Sequence, residues 1–120
     1  MTDTINVFPK CTVNRKALHL ALSKLARIVK GTRIERIQCV LIEQPQSDYL
    51  TLSVTNLEIK AQVWVECTGT FPEPALVNCE RMAKAVKLST APAAVLWRQT
   101  DSLVCNGGST EHRIPLESIK

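Results

Sequence analysis

The residues of this chain whose type and spacing point to chemistry are cationic. Arg15, Lys16, Lys24, Arg27 and Lys30 fall within one 16-residue interval that holds His19 and no acidic residue. A second group, Arg81, Lys84 and Lys87, recurs every three residues, with only Glu80 at its start. At helical spacing Lys16, Ser23, Arg27 and Lys30 lie opposite Leu18, Leu22, Leu25 and Val29, with Arg15, His19 and Lys24 at the margins. Such faces suit point-charge contact with phosphate and offer few of the Asn, Gln and Arg pairs that discriminate bases in a groove. A solvated lysine-rich face is the ordinary account of one such helix. Two helices of the same kind, with the acids Glu43, Asp48, Glu58, Glu66 and Glu73 kept to strands and loops, favour phosphate contact.

Catalysis is hard to build from the remaining residues. His19 stands among helix charges and His112 on a late strand-like run, and neither has a Ser or Cys in a nucleophile motif nearby, so both read as structural. Asn106-Gly107-Gly108 reads as a hairpin turn rather than a phosphate loop. The carboxylates are scattered, unlike the clusters that metal-dependent nucleases use. Five cysteines, Cys11, Cys39, Cys67, Cys79 and Cys105, are widely spaced with no Cys-x-x-Cys pair and no His at ligand spacing, so they read as buried reduced thiols. The expectation is a non-enzyme with no catalytic residue, no metal and no cofactor.

A length of 120 residues suits one domain. The chain is 45% apolar and 22% charged, which argues against disorder, and its 4% aromatic content leaves little for a base-stacking platform. A net charge of +4 allows a polyanionic partner. No apolar run approaches the ~20 residues that span a bilayer, and the first residues carry neither a basic leader nor an apolar signal core. No membrane partner is expected, and the location implied is cytoplasmic.

The elements that must position the cations follow from periodicity. Residues 1–9 read as a leader and Lys10 to Val13 as a short strand. Asn14 is a suitable N-cap for a helix from Arg15 to Lys30, stopped by Gly31. Gln38 to Glu43 reads as a strand and Pro45 to Asp48 as a turn. From Tyr49, Leu50, Leu52 and Val54 alternate with Thr51, Ser53 and Thr55. After a break at Asn56-Leu57-Glu58 the alternation resumes at Ile59, Ala61, Val63 and Val65. Thr68 to Pro74 reads as a loop and the internal boundary, followed by a strand at Ala75 to Val77 and a helix to Leu88 with Asn78 as its cap. Three strands follow, Ala94 to Gln99, Ser102 to Asn106 and Ser109 to Leu116. The order is βαβββ written twice, with pseudo-repeats 10–67 and 74–120. Each helix has one apolar stripe to bury, so the expected fold is α+β with two equivalent helices on one face of antiparallel sheet.

This order and certain residues resemble a known family. Leu50-Thr51-Leu52-Ser53-Val54-Thr55-Asn56-Leu57-Glu58-Ile59 is similar to a run of alternating Leu, Thr and Ser followed by Thr-Asp-Leu-Glu in the N-terminal domain of the bacterial DNA polymerase III beta subunit, the sliding clamp. Val13-Asn14-Arg15-Lys16-Ala17-Leu18, Gln38-Cys39-Val40-Leu41-Ile42 and Ile114-Pro115-Leu116 support the likeness, which covers about residues 10–120. Asn56 stands where the family usually has Asp, and Ile34-Glu35-Arg36-Ile37 where it has Leu-Pro-Ile-Leu. A family subunit has three such domains and dimerises into a six-domain ring around duplex DNA. Its pocket for clamp-binding peptides lies in the later domains and is not carried over.

The resemblance implies a DNA-clamp fold with DNA-facing helices. The implied contacts are Arg15, Lys16, Lys24, Arg27 and Lys30 on the first helix, Arg81, Lys84 and Lys87 on the second, and Arg33 in the loop after the first. It implies duplex DNA bound through phosphates in replication and processivity, and homo-oligomerisation through edge strands at 59–67 and 109–116. Replication polymerase or clamp subunits are the further partners it suggests. The alternative is an interaction module that pairs by an edge strand with itself or with a full-length clamp and holds no DNA.

Overall fold

The computed structural model describes residues 9–29, 38–55, 59–89, 91–108 and 110–117. Apart from Pro9, the expected leader lies outside these residues, as do Lys30, the Gly31 stop and the Asn56-Leu57-Glu58 break. The elements run β1 (Cys11–Asn14), α1 (Arg15–Val29), β2 (Cys39–Gln46), β3 (Tyr49–Thr55), β4 (Lys60–Gly69), β5 (Ala75–Asn78), α2 (Cys79–Leu88), β6 (Ala93–Arg98), β7 (Ser102–Asn106) and β8 (Glu111–Pro115). This is the expected βαβββ order, twice.

Each helix starts directly at the end of a strand, without a loop. Asn14 Oδ1 accepts from Ala17 N at 2.9 Å, and Asn78 Oδ1 accepts from Arg81 N at 3.0 Å. Both asparagines thus satisfy amides that a helix start leaves without an internal partner. Leu18, Leu22, Leu25 and Val29 of α1 are buried, as are Met82, Ala85 and Val86 of α2. They meet the inward residues of the sheet, among them Ile42, Leu50, Leu52 and Val54, in one core. The helices lie side by side on one face, and Cys79 Sγ sits 3.8 Å from Leu22 O.

The sheet has eight strands in the order β5-β2-β3-β4-β1-β6-β7-β8, with antiparallel neighbours throughout. The first strands join the two halves: β1 lies between β4 of its own half and β6 of the second, and β5 lies against β2 of the first. The sheet nearly closes, because Glu117 N, just beyond β8, donates to Leu76 O of β5 at 2.7 Å.

Backbone bonds outside the strands fix which edges are open. Cys67 N donates to Asp48 O and Thr70 N to Lys10 O, both at 2.9 Å. Directly bonded pairs in an antiparallel ladder recur every second residue. Odd-numbered residues of β4 therefore bond to β3, and even-numbered ones face the other way. Pairing to β1 involves Cys67, Thr68 and Gly69, so Lys60, Gln62 and Trp64 present their backbone groups to a side that no described strand occupies. On β8, bonds from Gly107 N to Thr110 O and from Leu116 N to Asp101 O, both 3.0 Å, bracket the hairpin with β7. His112 and Ile114 thus bond to β7, while Glu111 and Arg113 face the open edge.

Two expectations for loops are corrected. β2 continues through Pro45 to Gln46, with a register shift between Glu43 and Gln46, and the turn is only Ser47-Asp48. A bulge tolerates proline where a regular ladder does not. The expected 68–74 loop begins later, because β4 extends to Gly69 to pair with Cys11, and Phe71 within it is buried in the core. Gly69 has φ +94°, and a Cβ there would run into the Lys10 carbonyl.

All five cysteines are free and buried. Burial pushes the Cys11 thiol up to about 12, with Cys67 nearby adding to the rise. It pushes Cys79 to about 12 and Cys105 to about 11. Unfolded, such thiols ionise near 9.0. Above that pH the unfolded chain gives up protons that the folded chain keeps, so the stability the thiols contribute is complete below 9 and lost as pH climbs toward 12. Urea midpoints should fall between pH 9 and 11, and fall less steeply in Cys79→Ala. Equal slopes for the two proteins would contradict this account.

Candidate nucleic-acid interface

On α1 the outward stripe is Lys16, Leu20, Lys24 and Arg27, all exposed. Spacings of three and four residues align them on one side of the helix. Lys24, placed at the margin by periodicity alone, stands within this stripe. His19 and Ser23 are half-buried. On α2 the exposed residues are Glu80, Arg81, Lys84, Lys87 and Leu88. Because the helices pack side by side, the structure brings Lys16, Lys24, Arg27, Arg81, Lys84 and Lys87 onto one face of the molecule. Lys30 and Arg33 lie outside the described residues.

Arg15 differs from the others. It is half-buried, its Nε donates to Ala91 O at 3.1 Å, and its backbone N donates to Pro92 O at 3.0 Å. The residue ties the start of α1 to the segment entering β6. Lys10 has a comparable structural contact, with its Nζ 4.7 Å from the centre of the Trp97 ring.

Among the described residues no ion pair compensates this face: Arg98 pairs with Glu73 at 2.7 Å and Arg113 with Glu111 at 3.2 Å, and both pairs lie off the helices. Lys16 and Arg15 occupy the first turn of α1, which has no acidic residue. That end carries the positive pole of the helix dipole, where a cation is unfavourable by a few tenths of a kcal/mol up to about 1 kcal/mol. Helix stability alone would select the opposite sign. α2 follows the ordinary rule, with Glu80 in its first turn and Lys87 in its last.

Two features of this face were not apparent from charge pattern. Leu20 and Leu88 are 59% and 62% exposed, so each cationic stripe contains a leucine. A shallow pocket of 220 Å³ lies between α2 and β8, bordered by Arg81, Lys84, Leu88 and His112. The Nε2 atom of His112 is buried there without a hydrogen-bond partner. No sequence signal indicates this, since periodicity does not say which strand a helix packs against. Among the described residues no three His, Cys, Asp or Glu side chains group as metal ligands, and no helix is long and apolar enough to cross a membrane.

Two βαβββ halves joined through their first strands, with both helices on one face of a nearly closed sheet, define the DNA-clamp class of fold. Solved bacterial DNA polymerase III beta sliding clamps have this fold. The Caulobacter crescentus pol III beta structure matches with a TM-score of 0.83 and 20% identity over 92% of this chain and 30% of that one. The Thermotoga maritima beta subunit matches with a TM-score of 0.81 and 21% identity over 92% and 30%. A Helicobacter pylori beta clamp bound to a DNA ligase peptide matches with a TM-score of 0.82 and 14% identity over 91% and 31%. The chain spans about a third of the length of these clamps and has the fold of a single clamp domain. No protein-family model matches the sequence, and no curated protein matches it.

The exposed cations and Arg15 are separable by stability. Replacing Lys16, Lys24 or Lys84 with Gln should change the unfolding free energy by no more than about 0.5 kcal/mol, as for other surface sites without a partner. Arg15→Ala should lose about 1 kcal/mol with the bond to Ala91 O. Urea denaturation of the four variants measures both. A loss above about 2 kcal/mol at Lys24 would give that residue a structural role instead.

Proposed function

We propose that this chain is a non-catalytic domain of clamp type that holds duplex DNA without sequence preference and acts in replication as a processivity element. The observation that carries this reading is the merged cationic face, with six exposed Lys and Arg side chains on two adjacent helices and one acidic residue, Glu80, among them. Phosphates are the natural counter-charge for point cations so arranged, and nothing on the face is suited to reading bases. Lys30 and Arg33 extend the set on the strength of the sequence resemblance. Residues 10–120 act as one clamp-like domain with pseudo-repeats 10–67 and 74–120, and its setting is the cytoplasm.

Self-assembly completes the proposal. The clamps that this chain is similar to are about three times its length, and the resemblance implies a six-domain ring, which single-domain copies would supply by pairing end to end. Two open edges support this: the Lys60–Trp64 side of β4 and the Glu111–Arg113 side of β8. Unpaired backbone groups on such edges are templates for another strand. One edge from each half favours head-to-tail contact, which closes into rings when the rotation permits. Polymerase and other clamp subunits are the partners that such a ring would serve.

Duplex binding tests the first claim. Replacing Lys84 and Lys87 with Ala should weaken binding to every sequence alike and flatten the plot of log K against log salt by about 0.9 for each lost contact. An unchanged slope would refute phosphate contact by α2. Solution mass tests the second: a complex larger than the monomer is expected, and Gln62→Pro should dissociate it while leaving the fold intact. The Gln62 amide points to the open side, so proline there removes an edge donor and no bond to β3. A concentration-independent monomer that ignores DNA would favour neither claim.

A further inference from the structure

A well-formed cavity lies on the opposite side of the sheet from the helices. It is a groove of 610 Å³ across β2, β3 and β4, closed at one end by the segment around Phe71 to Pro74. That volume lies within the ~300–1,000 Å³ range of ligand sites.

The walls are aromatic and proline-rich. Trp64 is 70% exposed, the most of any large apolar side chain in the described residues, and Tyr49 is also exposed. Pro45, Pro72 and Pro74 complete the rim. The strand registers explain the placement. Glu43, Thr51 and Trp64 form one cross-strand row on the outward face, and Tyr49 and Glu66 form part of the next. Tyr49 and Trp64 are therefore diagonal neighbours, about 7–8 Å apart. One three-residue turn of a polyproline II helix spans about 9 Å.

The groove is also held open. Gln44 donates from Nε2 to Gly69 O at 3.0 Å and to Ser47 O at 3.1 Å, and its Oε1 accepts from Phe71 N at 2.7 Å. One side chain thus locks the end of β4, the β2–β3 turn and the wall segment together. Phe71 is buried, which anchors that segment to the core. A rigid groove loses little entropy when it is filled.

Charge selects the occupant. Glu43 is the only ionisable acid or base among the lining residues besides the Tyr49 phenol, and Glu66 and Asp48 stand exposed beside Tyr49. Phosphates would be repelled, so this face does not share the DNA contact. A cation would be drawn to the acids and to the faces of the exposed rings.

We propose that this groove binds a proline-rich peptide segment in polyproline II conformation carrying an Arg or Lys at one end. Proline rings stack in the slots flanked by Tyr49 and Trp64, where a preformed helix brings apolar surface at low entropic loss. The basic residue pairs with Glu43. The site is distinct from the cationic face and leaves it free while a partner is held.

The test uses the full chain carrying Trp97→Phe, so that fluorescence reports Trp64. The probe is a capped synthetic peptide, Arg-Ala-Leu-Pro-Pro-Leu-Pro, titrated at low protein concentration. A saturable change in the Trp64 signal at sub-millimolar peptide is expected. Tyr49→Ala should weaken it about tenfold, and Glu43→Gln should weaken it about threefold for this peptide but not for its Arg-to-Ala counterpart. No saturable change up to 2 mM would overturn the proposal, taking ~10⁻³ M as the weakest useful affinity. Equal binding by a peptide with its prolines replaced by Ala would overturn it also. Because strand pairing at the β4 edge also alters the Trp64 signal, the titration is repeated at about tenfold higher protein concentration; loss of the peptide response there would mean that a second copy covers the groove, against the proposal.

Discussion

The structure depends on the first strands of its two halves, which join the halves into one sheet. β1 pairs with β4 of its own half and with β6 of the second, and β5 pairs with β2 of the first. Cys11, Val13, Ala75 and Val77 on these strands are all buried in the common core. The halves are therefore not separable layers, and one hydrophobic interior serves both. Asn14 and Asn78 transmit this arrangement to the helices. Each caps a helix at the last residue of one of these joining strands, so the position of the strand sets the position of the helix with no loop to take up slack.

From that constraint the cationic face follows. Two amphipathic helices fixed at equivalent places on one side of a sheet must lie together, and their outward stripes must merge. The merger places like charges side by side, which opposes folding through repulsion. Burial of Leu18, Leu22, Leu25, Met82 and Val86 beneath them outweighs it, at about 1.5–3 kcal/mol for each large apolar side chain. Arg15 and Lys16 at the positive end of α1 add to the electrostatic strain. A face that is unfavourable for the isolated molecule and supported by a dense core is what a polyanion would relieve.

Much of this was legible in the sequence because it is local. Asparagine caps, the 3.6-residue period of Leu18, Leu22 and Leu25, and the alternation of Leu50, Leu52 and Val54 depend on neighbours a few residues away. The joining of the halves through β1 and β5 was not legible, since a period of two says which face a side chain takes and not which strand lies beside it. The departures share that cause. β4 runs past Cys67 because β1 is there to receive it, and Pro45 stays in a strand because a bulge absorbs it. Phe71 is buried within the loop because Gln44, 27 residues earlier, accepts from its amide and holds it over the core. Helical phase anticipated the exposure of Lys16, Arg27, Arg81, Lys84 and Lys87, but set Lys24 at the margin, and it carried no sign of the partner that holds Arg15, Ala91, 76 residues away.

The same pleat that buries Leu50 and Leu52 turns Tyr49, Thr51, Gln62 and Trp64 to the other side. One sheet thus carries two chemically opposed surfaces. Its inner side supports helices rich in Lys and Arg, and its outer side displays aromatic rings beside Glu43 and Glu66. On the readings proposed above, nucleic acid and a peptide would take opposite sides of the sheet, and a second copy would take its edges. The edge of β4 is where two of these meet, because Gln62 and Trp64 have backbone groups on the open side and side chains that line the groove. A neighbouring strand there would extend the groove floor rather than reach the helices on the other side.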